Sequence, residues 1–179
     1  MEVVGKELAL ARLAEHKQSL LEGGKGCVMC ALSNGKADLE PIRGSEHAVV
    51  LLDRFASRYG HLLIIPRLHF EHLSQLPWEV FADVQRLTFE AARAIDACFE
   101  PARVFTATLG AAVELSMTYS HYHMHVIPVY EIDERARPAR VLSWTEGVIV
   151  YDDAEARGIC ERLMACWPDG AVCGAAERG

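Results

Sequence analysis

Three histidines stand at alternate positions in the segment SHYHMHVIPVY: His121, His123 and His125. The residues between and after them, Tyr122, Met124, Val126, Ile127 and Val129, are apolar or aromatic. A period of two is that of a β-strand, whose successive side chains point to opposite faces. All three imidazoles would then share one face, neighbours standing roughly 6–7 Å apart along the strand. Rings that can titrate, attack and ligate are costly as core packing. Such a row offers a metal site, a nucleophile with its acid–base helpers, or both.

Cys27 and Cys30, in CVMC, have the two-residue gap that lets both thiolates reach one metal. The same spacing suits a redox pair or two buried thiols. Two thiolates and two imidazoles would close a tetrahedral site, which is structural rather than catalytic. Two further histidines flank an apolar run in GHLLIIPRLH: His61 begins it and His69 follows it, with His72 in HFEH the competing ligand. His16 and His47 belong to no pattern. Cys98 falls late in a helix and reads as core. Cys160 and Cys166 belong to the last helix and Cys173 to the tail, none with metal-ligand spacing.

The elements that must position these groups follow from periodicity and from helix-breaking residues. Residues 3–22 read as a helix ended by Gly23, Gly24 and Gly26. HAVVLLD (47–53) and HLLIIP (61–66) read as strands, with RFASRYG a turn between them and Pro66 a stop. Pro77 opens a long helix to Glu100, with Val80, Phe81, Val84, Leu87, Ala91, Ile95 and Phe99 at helical spacing. RVFTAT (103–108) is a third strand, and the histidine strand covers 120–129. EIDERARPAR is a charged connection. VLSW (141–144) and GVIVYD (147–152) suggest two short strands turning at Thr145–Glu146, before a final helix over 153–167. The expectation is an α+β fold, an antiparallel sheet of about five strands with one long helix packed on it. It divides into an N-terminal helix and linker (1–26), a core (27–130), a C-terminal extension packed on that core (131–170) and a mobile tail (171–179).

The chain has 179 residues, 51% of them hydrophobic, enough for one domain with a real core. A net charge of −7 without any Lys/Arg run argues against binding nucleic acid. A small phosphorylated ligand remains open, because such sites use local donors rather than net charge. No apolar run approaches the roughly 18 residues that span a membrane. The charged, amphipathic N-terminus does not read as a signal peptide. With six cysteines, that leads us to expect reduced thiols and a cytoplasmic location.

Taken together, HYHMHVI resembles the motif of the histidine-triad (HIT) family, and GHLLIIPRLH resembles the strand of that family reading Gly-His, hydrophobics, Pro, basic, any, His. Asp53, eight residues before His61, also matches, and CVMC is similar to the zinc-binding branch. The resemblance covers about residues 27–130. It implies a homodimeric nucleotide hydrolase or nucleotidyl transferase whose partner is a small-molecule nucleotide such as a nucleoside phosphoramidate or dinucleoside polyphosphate. Carried over by position, His123 attacks the α-phosphorus to form a nucleotidyl-histidine. His125 binds phosphoryl oxygens and helps protonate the leaving group, and His61 fixes the tautomer of His123. Thr118 stands where the family often has a serine near the leaving group. Asp53 takes the ribose hydroxyls. The zinc branch implies Cys27, Cys30, His69 and His121 as ligands of a structural Zn2+.

The sequence departs from the family pattern in the phosphate region. Thr108 stands near the position of an Asn, Met117 near that of a Gln, and Val129 replaces a frequent Arg. The competing functions are therefore a nucleotide-binding or zinc-stabilised interaction module with little or no catalysis, and a catalytic zinc held directly by strand histidines with an open water position.

Overall fold

The computed structural model describes residues 1–21, 25–37, 39–109 and 119–168. Thr118, Met117, Cys173 and the tail 171–179 lie outside the described residues. Its central feature is an antiparallel five-stranded sheet formed by β2 (Arg43–Gly44), β3 (Ala48–Leu52), β5 (Leu62–Pro66), β6 (Arg103–Ala107) and β7 (Met124–Val129), in the order β2-β3-β5-β7-β6. β3 and β5 are uninterrupted apolar runs because both faces of the sheet are covered.

On one face Val50, Leu52, Leu62, Ile64, Met124 and Val126 join the main core with α3 (Trp78–Phe99) and α5 (Asp153–Ala165). Helix α3 supplies Val84, Leu87, Ala91, Ala94 and Ile95, all fully buried. Cys98 near its end is paired with Cys166 after α5 as a disulfide, correcting the expectation that these thiols are reduced. On the opposite face Val49, Leu51, Leu63 and Ile65 pack on Met29 of the short helix α2 (Val28–Ala31). Because Leu63 pairs with His125 and Ile64 with Met124, His125 points to this second face.

Several elements differ from the sequence reading. The N-terminus begins with a strand, β1 (Glu2–Val4), and only after Gly5 does α1 (Lys6–Leu20) start; it buries Ala9, Leu13 and Leu20 and leaves Leu8 exposed. RFASRYG contains β4 (Phe55–Ala56). VLSW is not a strand: Pro138 starts α4 (Pro138–Leu142), its fixed φ suiting a first helical turn, and Trp144 then turns into the left-handed region at φ +60°. Regular pairing of the histidine strand starts only at Met124.

β8 (Val148–Val150) was expected from GVIVYD, but its partners were not. It lies between β1 and β4 in a second antiparallel sheet, with Val4 opposite Val148 and Val150 opposite both Glu2 and Phe55. The residues before and after the core are thus joined to each other. The buried Arg58 adds a further tie, donating to the carbonyls of Ser57 and Arg135 and pairing with Glu131 at 3.0 Å.

The turn into β8 depends on Gly147, at φ +93°. A Cβ there would meet Val3 Cγ1 at 2.9 Å and the Val4 carbonyl oxygen at 3.1 Å. Gly147→Ala should therefore cost about 1–3 kcal/mol, read as a lowered urea midpoint. An unchanged midpoint would mean that β1 is not docked on this turn.

Candidate active site and metal-ligand cluster

His123 is buried at the entry to β7, and its Nδ1 lies 2.7 Å from the carbonyl oxygen of His121. A carbonyl can only accept, so the proton belongs on Nδ1 and the lone pair on Nε2. His123 also lines a cavity on the α2 side of the sheet, together with His61, His125, Asp53 and Ser57. The His123 and His125 rings stand 4.8 Å apart, centroid to centroid, and Tyr119 meets His123 edge-on at 5.9 Å.

His61, expected to hold His123, holds His125 instead: His61 Nε2 lies 3.0 Å from His125 Nδ1. The His121 carbonyl already occupies Nδ1 of His123, which leaves no need for a second partner there. On its other side His61 Nδ1 faces Asp53 Oδ2 at 3.2 Å. The Ser57 backbone N–H also faces this nitrogen, at 3.4 Å, but the carboxylate is nearer and accepts the Nδ1 proton; His61 Nε2 then accepts from His125 Nδ1, and His125 Nε2 keeps its lone pair. The three groups offer ligand atoms within 4.8 Å of one another, but Asp53 and His125 lie at opposite nitrogens of the His61 ring, the arrangement of a hydrogen-bond relay.

Burial lowers the pKa of His61, of His123 and, furthest, of His125. Asp53 opposes that shift at His61 and at His123 without reversing it. The rings are thus held neutral, the form in which imidazole is a nucleophile. Asp53 borders the cavity, but its Oδ1 already accepts the Phe55 backbone N–H at 3.0 Å. Thr108 does not reach the cavity. It is exposed, while its neighbour Leu109 is in the cavity wall. Ser57, Tyr119, His16 and Trp144 line the cavity without having been found from the sequence. None belongs to a spacing motif, and Trp144 arrives from a segment whose strand reading was wrong.

The third histidine serves a separate cluster. His121 is fully buried, and its Nε2–H donates to the Pro66 carbonyl at 3.1 Å, which turns Nδ1 toward the cysteines. That Nδ1 lies 3.4 Å from Cys27 Sγ and 3.3 Å from Cys30 Sγ, and His69 Nδ1 lies 3.3 Å from Cys30 Sγ. All four donor atoms fall within 4.8 Å of one another. With arms of about 2.3 Å to sulfur and 2.0–2.1 Å to nitrogen, a tetrahedral zinc needs S···N edges of about 3.5 Å. The spacing and the two-thiolate, two-imidazole donor set are compatible with zinc. His72, the competing ligand, is outside the cluster and bonds through its backbone N–H to Gln75.

A model of the HIT domain matches residues 35–132. The chain belongs to the HIT family. A HIT-like protein of Mycoplasma pneumoniae is 30% identical over 115 residues, covering 64% of this chain and 78% of that one. An adenylylsulfatase of Arabidopsis thaliana is 27% identical over 108 residues, 60% of this chain and 54% of that one. Among solved structures, a zinc-bound histidine-triad protein of Mycobacterium smegmatis superposes with a TM-score of 0.58 at 24% identity, over 78% of this chain and 94% of that one. The five-stranded antiparallel sheet with its long helix is the HIT fold.

Neutral buried imidazoles have a stability consequence. Their folded pKa values lie below the usual 6.5, so the unfolded chain binds more protons as the pH falls through that value. The fold should lose stability below about pH 6.5 and gain nothing further from these groups well above it. Urea titrations between pH 5 and 8 would measure this, and 15N NMR at pH 7 should find His123 as the Nδ1–H tautomer. An Nε2–H tautomer would overturn the assignment.

Proposed function

We propose that this HIT protein is a nucleotide hydrolase or nucleotidyl transferase acting at the α-phosphorus of a nucleoside phosphoramidate or dinucleoside polyphosphate. The observation that carries the reading is the His121 carbonyl on His123 Nδ1, which leaves Nε2 as a lone pair beside the cavity. His123 Nε2 attacks phosphorus and forms a P–N bond as the bond to the leaving group breaks. The leaving group takes a proton from His125, whose protonated form becomes favoured once an anionic phosphoryl group lies beside it. Its Nδ1–H remains on His61, and Asp53 backs His61. Water then attacks phosphorus, gives its proton to His125 and releases His123 with a nucleoside monophosphate. A relative named as an adenylylsulfatase supports chemistry on an adenylyl compound.

The metal reading is part of this proposal. Cys27, Cys30, His69 and His121 would hold one structural Zn2+, fastening the α2 region to the ends of β5 and the start of the triad. The ion would supply folding free energy and stay away from the reacting phosphorus. Homodimerisation is the expected assembly. It is supported by the β6 sheet edge and by exposed apolar side chains of α3, Trp78 (75%) and Phe89 (63%).

His123→Ala should reduce turnover of an adenosine phosphoramidate by about a thousand-fold or more while nucleotide binding persists. A mutant retaining more than a few per cent of the activity would overturn the nucleophile, and turnover abolished by a chelator would favour a catalytic metal. Purified protein should contain about one zinc per chain, with a Zn–S shell near 2.3 Å by X-ray absorption. Cys27→Ser should lower the melting temperature yet keep activity per folded molecule; the opposite pattern would place the metal at the reaction centre.

A further inference from the structure

The turn that leads into His61 is gripped by two tyrosines from later in the chain. Arg58, Tyr59, Gly60 and His61 form a tight turn, closed by the His61 N–H on the Arg58 carbonyl at 3.1 Å. Gly60 is its third residue, at φ +80°, the value of a type II turn. The central peptide, between Tyr59 and Gly60, is the unit whose orientation separates type II from type I. Both ends of that peptide are engaged. The Tyr130 hydroxyl donates to the Tyr59 carbonyl at 2.9 Å, and the Gly60 N–H donates to the Tyr151 hydroxyl oxygen at 2.9 Å. A Cβ on Gly60 would meet the Phe99 ring at 2.8 Å, so the turn also fits closely against the end of α3.

Neither tyrosine lines the cavity. Tyr130 follows β7, the strand that carries His125, and Tyr151 follows β8, beyond the 35–132 span of the domain match. Tyr151 is buried in the main core, and its ring meets that of Tyr59 edge-on at 6.1 Å. Burial raises the pKa of both phenols, that of Tyr130 to about 12, so both keep their protons at neutral pH. Tyr130 uses its proton to donate, and Tyr151 presents a neutral oxygen that accepts. What the turn delivers is a buried ring that faces two partners at once: Asp53 at 3.2 Å from Nδ1 and His125 at 3.0 Å from Nε2. A flip of the neighbouring peptide would redirect the chain entering β5 and turn that ring off one partner or both. We infer that the hydroxyls of Tyr130 and Tyr151 are positioning groups of the histidine relay: they fix the Tyr59–Gly60 peptide and so aim His61 at His125. This rests on the histidine reading given above, in which His125 protonates the leaving group. The C-terminal extension thereby reaches the chemistry through the backbone, without touching substrate.

Tyr151→Phe keeps the ring and removes the acceptor. The full-length variant is compared with the wild type in first-turnover cleavage of two compounds. One is adenosine 5′-phosphoramidate, whose amine must take a proton to leave. The other is the p-nitrophenyl ester of adenosine 5′-phosphate, whose nitrophenolate leaves without one. The rate on the amide should fall about ten-fold while that on the ester changes by less than about two-fold, because only the amide needs a well-aimed His125. An amide rate within about two-fold of the wild type, or equal losses on the two compounds, would overturn the proposal. If Tyr151→Phe does not fold, Tyr130→Phe, which frees the other end of the same peptide at an exposed ring, is read in the same way. If the wild type cleaves neither compound, the histidine reading fails, and 15N NMR of the variant decides the positioning alone. The ring nitrogens of His61 and His125 should then shift toward averaging between tautomers, while His123, held by the His121 carbonyl, stays as Nδ1–H. Unchanged His61 and His125 signals would overturn the clamp.

Discussion

One residue, His121, couples the two halves of the site. Its ring is fixed by the Pro66 carbonyl so that Nδ1 faces two thiols, and its own carbonyl accepts the His123 Nδ1 proton at 2.7 Å. The ring therefore determines where the backbone lies, and the backbone determines which nitrogen of His123 is free. A shift of the chain at His121 by a few tenths of an ångström would disturb both. The Cys/His cluster and the cavity histidine thus share one buried stretch of backbone beside the end of β5.

The sheet makes that coupling rigid. Its α3 face is filled by branched and aromatic side chains with helices α3 and α5 over them, and its other face is filled near α2. β7 carries the alternation across this divide: Met124 and Val126 enter the large core while His125 faces the cavity. Apolar packing on one side holds the imidazoles on the other, where burial keeps them uncharged. The Asp53–His61–His125 row adds directionality, since a carboxylate at one end decides which nitrogen carries each proton along it.

The sequence made the core legible because its signals are local. Alternation exposed the histidine strand, a proline marked the start of α3, and CVMC with the histidines pointed to a Cys/His cluster. What stayed hidden depends on contacts between distant residues. Nothing in EVV near the N-terminus announces a strand whose partner is GVIVYD, and VLSW has strand-like composition but its first two residues end a helix that Pro138 opens and its last two turn away. The partner of His61 was misread for a related reason: motif order places His61 near the triad but cannot say which ring it meets. Thr108 matches an Asn by position, yet it stands exposed just past the end of β6. Trp144 carried no signal, because its place in the cavity wall follows from a backbone turn that spacing does not encode.

The pairing of Val4 with Val148 has a temporal meaning. Strands β2 to β7 all precede residue 130, so the five-stranded sheet can pair while the rest of the chain is still being made. β1 cannot. It emerges first and must wait for β8, and closing so long a loop is entropically slow compared with the local hairpin of β3 and β5. During synthesis Val4 and Leu13 are thus left without part of their cover until β8 follows. A nascent chain of this protein would be most prone to wrong associations in that interval, after its chemistry is assembled and before its cavity is walled.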